Sequence, residues 1–212
     1  MDYFFTFAEI AGTIAFALSG ALKAIQKKLD IFGVCMLAVF TALGGGVIRD
    51  LLLGITPPRM FYNEHYLLAA LAVAVFTFCM IRLVHEVMNF GVWGDWAFNI
   101  CDALGLGIFA VIGTQSAIQA GYGGKFFLCL FMGLTTGVGG GVLRDVMCCE
   151  IPAILRKHVY DVAALAGSLL YYLLTTSGLL PPAPATLIAV AATTALRILA
   201  RYYQWNLPKA LK

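Results

Sequence analysis

The stretch Gly44-Gly45-Gly46-Val47-Ile48-Arg49-Asp50 returns 95 residues later, with position 139 matching position 44, as Gly139-Gly140-Gly141-Val142-Leu143-Arg144-Asp145. Six of the seven positions are identical, and Leu143 stands where the first copy has Ile48. Each copy ends an apolar run that is long enough to cross a bilayer. The chain therefore places three glycines and a charged pair at membrane depth twice.

The composition around this doubled motif is that of a membrane protein. The chain has 212 residues, of which 61% are hydrophobic and 12% are charged, and its mean hydropathy is +0.89. A soluble domain of this size needs more charge to cover its surface. Strand-type alternation is absent, so a membrane β-barrel is not expected. We predict an all-α membrane protein with seven spans, at about 4–23, 31–53, 66–84, 96–117, 125–147, 159–177 and 184–203.

The repeat extends beyond the glycines. The segment Phe16–Gly20 has a counterpart in Phe109–Gly113, and Glu9 corresponds to Asp102. We predict a first three-helix repeat at 1–90 and a second at 91–178, with the seventh helix and a cytoplasmic tail at 179–212. Three spans per repeat invert the second copy relative to the first, an arrangement typical of a permeation pathway.

The distribution of basic residues predicts the orientation. The N-terminus carries no basic region before its apolar run, so we interpret it as an uncleaved first span. With the N-terminus outside, only Arg49, Arg59 and Lys125 among the lysines and arginines lie on the outer side. The positive-inside rule therefore favours a multi-pass membrane protein with its N-terminus outside and its C-terminus in the cytoplasm.

Each glycine triplet needs a physical reason. Glycine costs about 1 kcal/mol relative to alanine inside a helix, or roughly 3 kcal/mol per triplet. Close helix packing is one explanation. The other is a kinked or unwound turn facing a pore, where freed carbonyls bind ions. A contiguous triplet covers all sides of a helix, which favours the kink, and nearby threonine hydroxyls could support a distorted backbone. The candidate ion pathway is Gly44, Gly45, Gly46, Gly139, Gly140, Gly141, Thr41, Thr135 and Thr136.

The charges after the triplets leave two alternatives open. Because a charge at the bilayer centre costs at least about 2.5–3.5 kcal/mol, it must be paired, face the bundle interior or lie near an interface. Arg49 could pair with Asp145, and Arg144 with Asp50, across the pseudo-two-fold axis. Alternatively, each pair caps its helix near the headgroups. Secondary candidates are the acids Glu9 and Asp102, which lie within or at the ends of apolar helices, and Lys125, which opens the fifth span.

The sequence lacks motifs for catalysis, metal binding and nucleic-acid binding. The sequence contains no Walker, G-x-S-x-G or H-E-x-x-H motif, so we expect neither an enzyme nor a bound cofactor. The six cysteines are scattered without metal-ligand spacing, which favours small buried side chains. No basic aromatic patch indicates nucleic acid.

Two G-G-G-x-x-R-D motifs on three-helix repeats, with a seventh helix, resemble the trimeric intracellular cation (TRIC) channel family, and more closely its bacterial branch, UPF0126. Phe16–Leu22 and Thr41-Ala42-Leu43 fit that branch too. The resemblance implies a homotrimer in the bacterial inner membrane, with one pore per protomer. It also implies helices 2 and 5 that bend at Gly44–Gly46 and Gly139–Gly141, with permeation by monovalent cations, chiefly K⁺ and also Na⁺. The animal branch has Lys-Glu-Val where this chain has Arg49-Asp50, so its lipid ligation and calcium control are not carried over.

Three functions agree with these features. The first is a potassium-permeable channel in which carbonyls, threonines and acids bind the cation. The second is a transporter of a small neutral solute such as glycine, because broken inverted repeats also serve alternating access and arginines can hold a carboxylate. The third is a protein that organises membrane lipids.

Overall fold

The computed structural model describes residues 2–84, 90–156 and 159–205 of the chain. These residues form helices joined by short turns and contain no strand. The helices are α1 (Asp2–Gln26), α2 (Ile31–Leu52), α3 (Glu64–Val84), α4 (Phe90–Ala117), α5 (Phe126–Met147), α6 (Ala153–Arg156), α7 (Val159–Thr176) and α8 (Pro182–Tyr202). A short helical turn, Arg59–Phe61, lies between α2 and α3, and α4 continues through a wider turn at Ile118–Tyr122.

Six of the described helices are long and apolar enough to cross a membrane, which confirms the all-α membrane class. The apolar part of α7, Asp161–Thr176, is shorter. The seven long helices lie within three residues of the predicted limits, except that α4 begins six residues early, at Phe90. Asp95, which directly precedes the predicted span at 96–117, is therefore helical, and it accepts a hydrogen bond from Gln26 at 3.0 Å. The tail after Trp205 lies outside the described residues.

Local signals set several helix ends. The Asp30 side chain accepts a hydrogen bond of 2.7 Å from the backbone N–H of Gly33, which caps α2. Proline stands at the start of α8, where a missing N–H costs nothing. Gly121 has φ of +88°, a conformation that favours glycine, and the chain turns there towards α5.

Small residues hold the bundle together, with α4 packed against α1, α5, α7 and α8. A Cβ atom on Gly20 of α1 would lie 2.8 Å from the Cα of Ala38 on α2. The equivalent Gly113 of α4 leaves no room for a Cβ beside the carbonyl oxygen of Met132 on α5. Such close backbone approach supplies van der Waals contact where lipid removes the hydrophobic driving force between helices.

The glycine triplets form the crossing of α2 and α5. A Cβ on Gly45 would collide with the Thr136 carbonyl oxygen, and one on Gly140 with the Thr41 carbonyl oxygen. Both helices run unbroken through their triplets, so the predicted unwound turn with freed carbonyls is wrong. The physical reason is that backbone meets backbone at this crossing, and contact with the other helix offsets the cost of the glycines.

Candidate functional site

A cluster of charges surrounds Arg49, near the end of α2. Its Nη1 donates to Glu9 Oε1 on α1 at 3.0 Å, and its Nε donates to Asp50 Oδ1 at 2.9 Å. The Tyr66 hydroxyl donates to Glu9 Oε2 at 2.7 Å. Asp50 Oδ2 accepts from the backbone N–H of Arg59 at 2.9 Å. The carboxylate of Asp50 therefore joins the arginine to the loop that follows α2.

The equivalent cluster surrounds Arg144, near the end of α5. Its Nη1 donates to Asp102 Oδ1 on α4 at 2.5 Å and to Ser19 Oγ at 2.7 Å, and its Nε donates to Asp145 Oδ1 at 2.9 Å. Asp145 Oδ2 accepts from the backbone N–H of Ala153 at 2.8 Å. The Phe98 ring lies over the guanidinium, with its centroid 4.7 Å from Cζ, a favourable cation–π distance.

Neither alternative predicted for the arginines is observed. Arg49 is 4% exposed and Arg144 is 1% exposed, so both side chains stay inside the bundle and do not snorkel to its surface. The crossed pairing of Arg49 with Asp145 is also wrong, because each arginine bonds the aspartate beside it and an acid of α1 or α4. At the last turn of a helix the aspartate side chain turns to the following loop, which brings one of its oxygens within reach of the preceding arginine.

Each cluster lines a cavity. The Arg49 cavity, about 60 Å³, includes Glu9, Gly46, Asp50 and Tyr66 in its wall. The Arg144 cavity, about 310 Å³, is lined by Lys23, Phe98, Asp102, Arg144, Asp145, Glu150, Ile151, Ala153 and Arg197. Glu9 and Lys23 both belong to α1 and lie 14 positions apart, which is about 21 Å of helix. The two cavities therefore lie towards opposite ends of the bundle, with the α2–α5 crossing between them.

The threonines of the predicted ion pathway lie elsewhere. The hydroxyls of Thr41 and Thr136 each donate at 2.6 Å to the carbonyl four residues back, and both residues are fully buried. Thr41 packs against Gly20, and Thr136 packs against Gly113. Thr135 donates to the Phe131 carbonyl at 2.8 Å. The geometry gives Thr41 and Thr136 a role in helix packing.

The structure places the three secondary candidates in different surroundings. Glu9 and Asp102 lie inside the clusters, as the partners of the two arginines. Lys125 is exposed at the start of α5, with its Nζ 5.3 Å from the Tyr122 ring centroid. Among the described residues, no group of three or more His, Cys, Asp or Glu side chains could hold a metal ion.

Several site residues were not predicted. Tyr66 and Ser19 complete the two hydrogen-bond networks, and Glu150 accepts hydrogen bonds from lysines at the end of α1. Ser19 belongs to the segment that repeats at Phe109–Gly113, but its repeat partner, Ile112, is apolar. The repeat therefore could not predict a role for Ser19, because a polar residue occurs at this position in one copy of the repeat and contacts only the Arg144 cluster.

Comparison with known proteins places this geometry in a family. A family model described as a glycine transporter matches the chain twice, at residues 6–82 and 99–176. A UPF0126 membrane protein of Vibrio cholerae is 36% identical over 200 residues, which are 94% of this chain and 80% of the relative. The UPF0126 inner membrane protein YadS of Escherichia coli K12 is 34% identical over 94% of this chain and 93% of its own length.

Solved structures agree with the sequence comparisons. The TRIC channel orthologue from Rhodobacter sphaeroides superimposes with a TM-score of 0.85 at 35% identity, over 95% of this chain and 98% of the orthologue. A prokaryotic TRIC channel solved in 0.5 M KCl gives a TM-score of 0.86 at 35% identity, over 98% of this chain and all of the other. With its membrane-spanning helices and inner-membrane relatives, the chain is a multi-pass inner membrane protein, and it belongs to the TRIC/UPF0126 family.

Proposed function

We propose that this protein is a potassium-permeable monovalent cation channel that assembles as a homotrimer with one pore in each protomer. The observation that carries this proposal is the pair of charged cavities on either side of the α2–α5 crossing. Two water-accessible cavities on either side of one helix crossing would form a continuous path if that crossing opened. Similarity to solved TRIC cation channels along almost the whole chain supports the same function.

The narrow part of the pore lies at Gly44–Gly46 and Gly139–Gly141. Gly46 supports this placement, because it lines the Arg49 cavity and a Cβ there would meet nothing nearer than an Arg49 nitrogen at 3.8 Å. Gly44, Gly45, Gly139 and Gly140 face the neighbouring helix. In this arrangement the triplets narrow the pore with intact helices, since side-chain-free surfaces let α2 and α5 cross closely.

Carboxylates are the cation ligands in this mechanism. Helical carbonyls already accept backbone hydrogen bonds, so they cannot replace the hydration shell of an ion as an unwound filter does. Glu9 and Asp50 line one cavity, and Asp102 and Asp145 line the other. The buried arginines partly neutralise these acids, which keeps cation binding weak enough for ions to leave.

The proposed topology has seven spans, with α7 as the shortest, and an outside N-terminus. Residues 1–90 and 91–178 form the inverted repeats, and 179–212 form the last helix and the tail. Support comes from the family model, which matches two segments of the chain, and from the two equivalent arginine clusters.

A transporter of a small neutral amino acid such as glycine is the second candidate. The family description favours it. So does the chemistry of the Arg49 cavity, whose wall carries both guanidinium and carboxylate groups, as recognition of a zwitterion requires.

One experiment separates the two candidates. Purified protein is reconstituted in bilayers to record unitary K⁺ currents, and in proteoliposomes to measure uptake of labelled glycine. A channel gives unitary currents whose reversal potential in a KCl gradient follows K⁺. Saturable glycine exchange without unitary currents would instead establish the transporter, and neither activity would leave a lipid-organising role. Lipid without protein is the blank. Gly46→Leu is the variant expected to lower either activity, because its side chain enters the Arg49 cavity and spares the helix crossing.

A further inference from the structure

A triad of charges distinguishes one end of the molecule from the other. Lys23 Nζ lies 2.7 Å from Glu150 Oε2, and Lys27 Nζ lies 2.6 Å from Glu150 Oε1. Both oxygens of one carboxylate are therefore held by lysines, one in the last turn of α1 and one directly after the helix. Lys23 and Glu150 also line the Arg144 cavity, so the triad forms part of the wall of that cavity.

Among the described residues, the Arg49 end has no equivalent lysine–glutamate–lysine triad; its cavity wall holds Arg59 instead, with Nε 3.8 Å from Asp50 Oδ1. Glu150 follows Asp145 by five residues, and the residue five positions after Asp50 is the apolar Ile55. The repeat offset between α1 and α4 carries Lys23 onto Ser116, which is uncharged. The arginine clusters match at the two ends, whereas the triad occurs at one end, and this difference breaks the symmetry of the proposed pathway.

We propose that the Lys23–Glu150–Lys27 triad controls how readily cations enter the Arg144 cavity, and so makes conduction unequal in the two directions. This inference rests on the proposed channel function. The triad carries one net positive charge at neutral pH, from two lysines and one glutamate. A positive charge at a cavity with low-dielectric walls lowers the local cation concentration, and the effect reaches about 8 Å at physiological salt.

Charge-changing variants of the triad have opposite effects. Lys23→Met or Lys27→Gln makes the triad neutral, and the current of cations that enter from this end should rise about twofold or more. Glu150→Gln leaves two positive charges, and the same current should fall by a similar factor. The current of cations that enter from the Arg49 end should change less than the current from the Arg144 end. In 1 M salt, where screening acts within about 3 Å, the differences between variants should shrink.

The measurement is the current–voltage relation of single channels in symmetrical KCl. The end of α8 lies at this end of the bundle, because Arg197 lines the Arg144 cavity. A C-terminal tag that is detected from one bath therefore fixes the orientation of each recorded channel. Lys125→Gln is the matched control. It removes one exposed positive charge at the start of α5, away from both cavities, and should leave the current of cations entering through the Arg144 cavity unchanged.

A second readout tests the triad without conduction. Thermal melts should show that Lys23→Glu and Glu150→Lys each destabilise the protein and that the double swap recovers part of the loss. Lys27 is exposed, so Lys27→Gln should keep the fold in every case. Wild-type currents with unchanged rectification in the variants would overturn the triad proposal alone. A wild-type protein without unitary currents would overturn the proposed function and this inference with it, even where the swap restores stability.

Discussion

Arg144 and Asp102 form a buried ion pair between α5 and α4, with side chains 1% and 2% exposed. Arg49 and Glu9 form its counterpart between α2 and α1, but Glu9 is 22% exposed. Removing one partner of a buried pair leaves an uncompensated charge, whereas a more exposed partner can be replaced by water. The two clusters share one geometry and differ in how much water reaches them.

This difference predicts unequal costs for matched substitutions. Asp102→Asn should destabilise the protein by about 3–5 kcal/mol, because Arg144 loses a fully buried partner. Glu9→Gln should cost clearly less, because solvent reaches that site. The loss of stability in each variant is measured from its midpoint of thermal unfolding in detergent. Glu64→Gln, at an exposed position, is the control. Equal losses for the two variants would contradict this account of their solvation.

Charge swaps test the pairing itself. Arg49→Glu combined with Glu9→Arg keeps both charges in contact, and part of the stability lost in the single variants should return. Arg49→Asp combined with Asp145→Arg should show simple additivity, because those side chains belong to different clusters. Recovery of stability in the Arg49→Asp and Asp145→Arg double variant would instead support the crossed pairing of Arg49 with Asp145.

Two glycines of the triplets should respond oppositely to alanine. Gly140→Ala places a Cβ against the Thr41 carbonyl oxygen, so α2 and α5 must separate, at a cost of several kcal/mol. Gly46→Ala meets nothing closer than 3.8 Å and should leave the melting temperature nearly unchanged. The melting temperatures of the two variants are compared with that of the wild type. If both are equally stable, the triplets do not serve the close crossing of the helices.

A bulkier side chain at Gly46 tests the pore rather than the fold. Gly46→Leu should fill part of the Arg49 cavity and reduce unitary K⁺ current at least severalfold, with little loss of stability, because the position faces open space. Single-channel recording together with a thermal melt separates the two effects. Undiminished current through a correctly folded Gly46→Leu protein would move the pore away from the triplet.

The sequence predicted the helices and the residues of the clusters better than their contacts. The doubled motif identified Arg49 and Arg144, and their acidic partners, Glu9 and Asp102, stood out because charges are rare in apolar helices. The pairing could not be predicted, because sequence spacing does not show whether an aspartate turns towards its own loop or across the bundle. Likewise, the cost of three glycines is visible in the sequence, but the approach of a second backbone that offsets it is not.

Acid should remove the contribution of Glu150 to stability. Hydrogen bonds from Lys23 and then Lys27 lower the pKa of this loop carboxyl to about 2. Its pKa is thus lower in the folded than in the unfolded protein, so its stabilisation is complete above the unfolded value of about 4.5 and is lost as the pH falls towards 2. The melting-temperature difference between wild type and Glu150→Gln should therefore stay constant from pH 8 to about 5.5 and disappear on further acidification. A difference that instead changed between pH 8 and 6 would show that another group titrates with the triad.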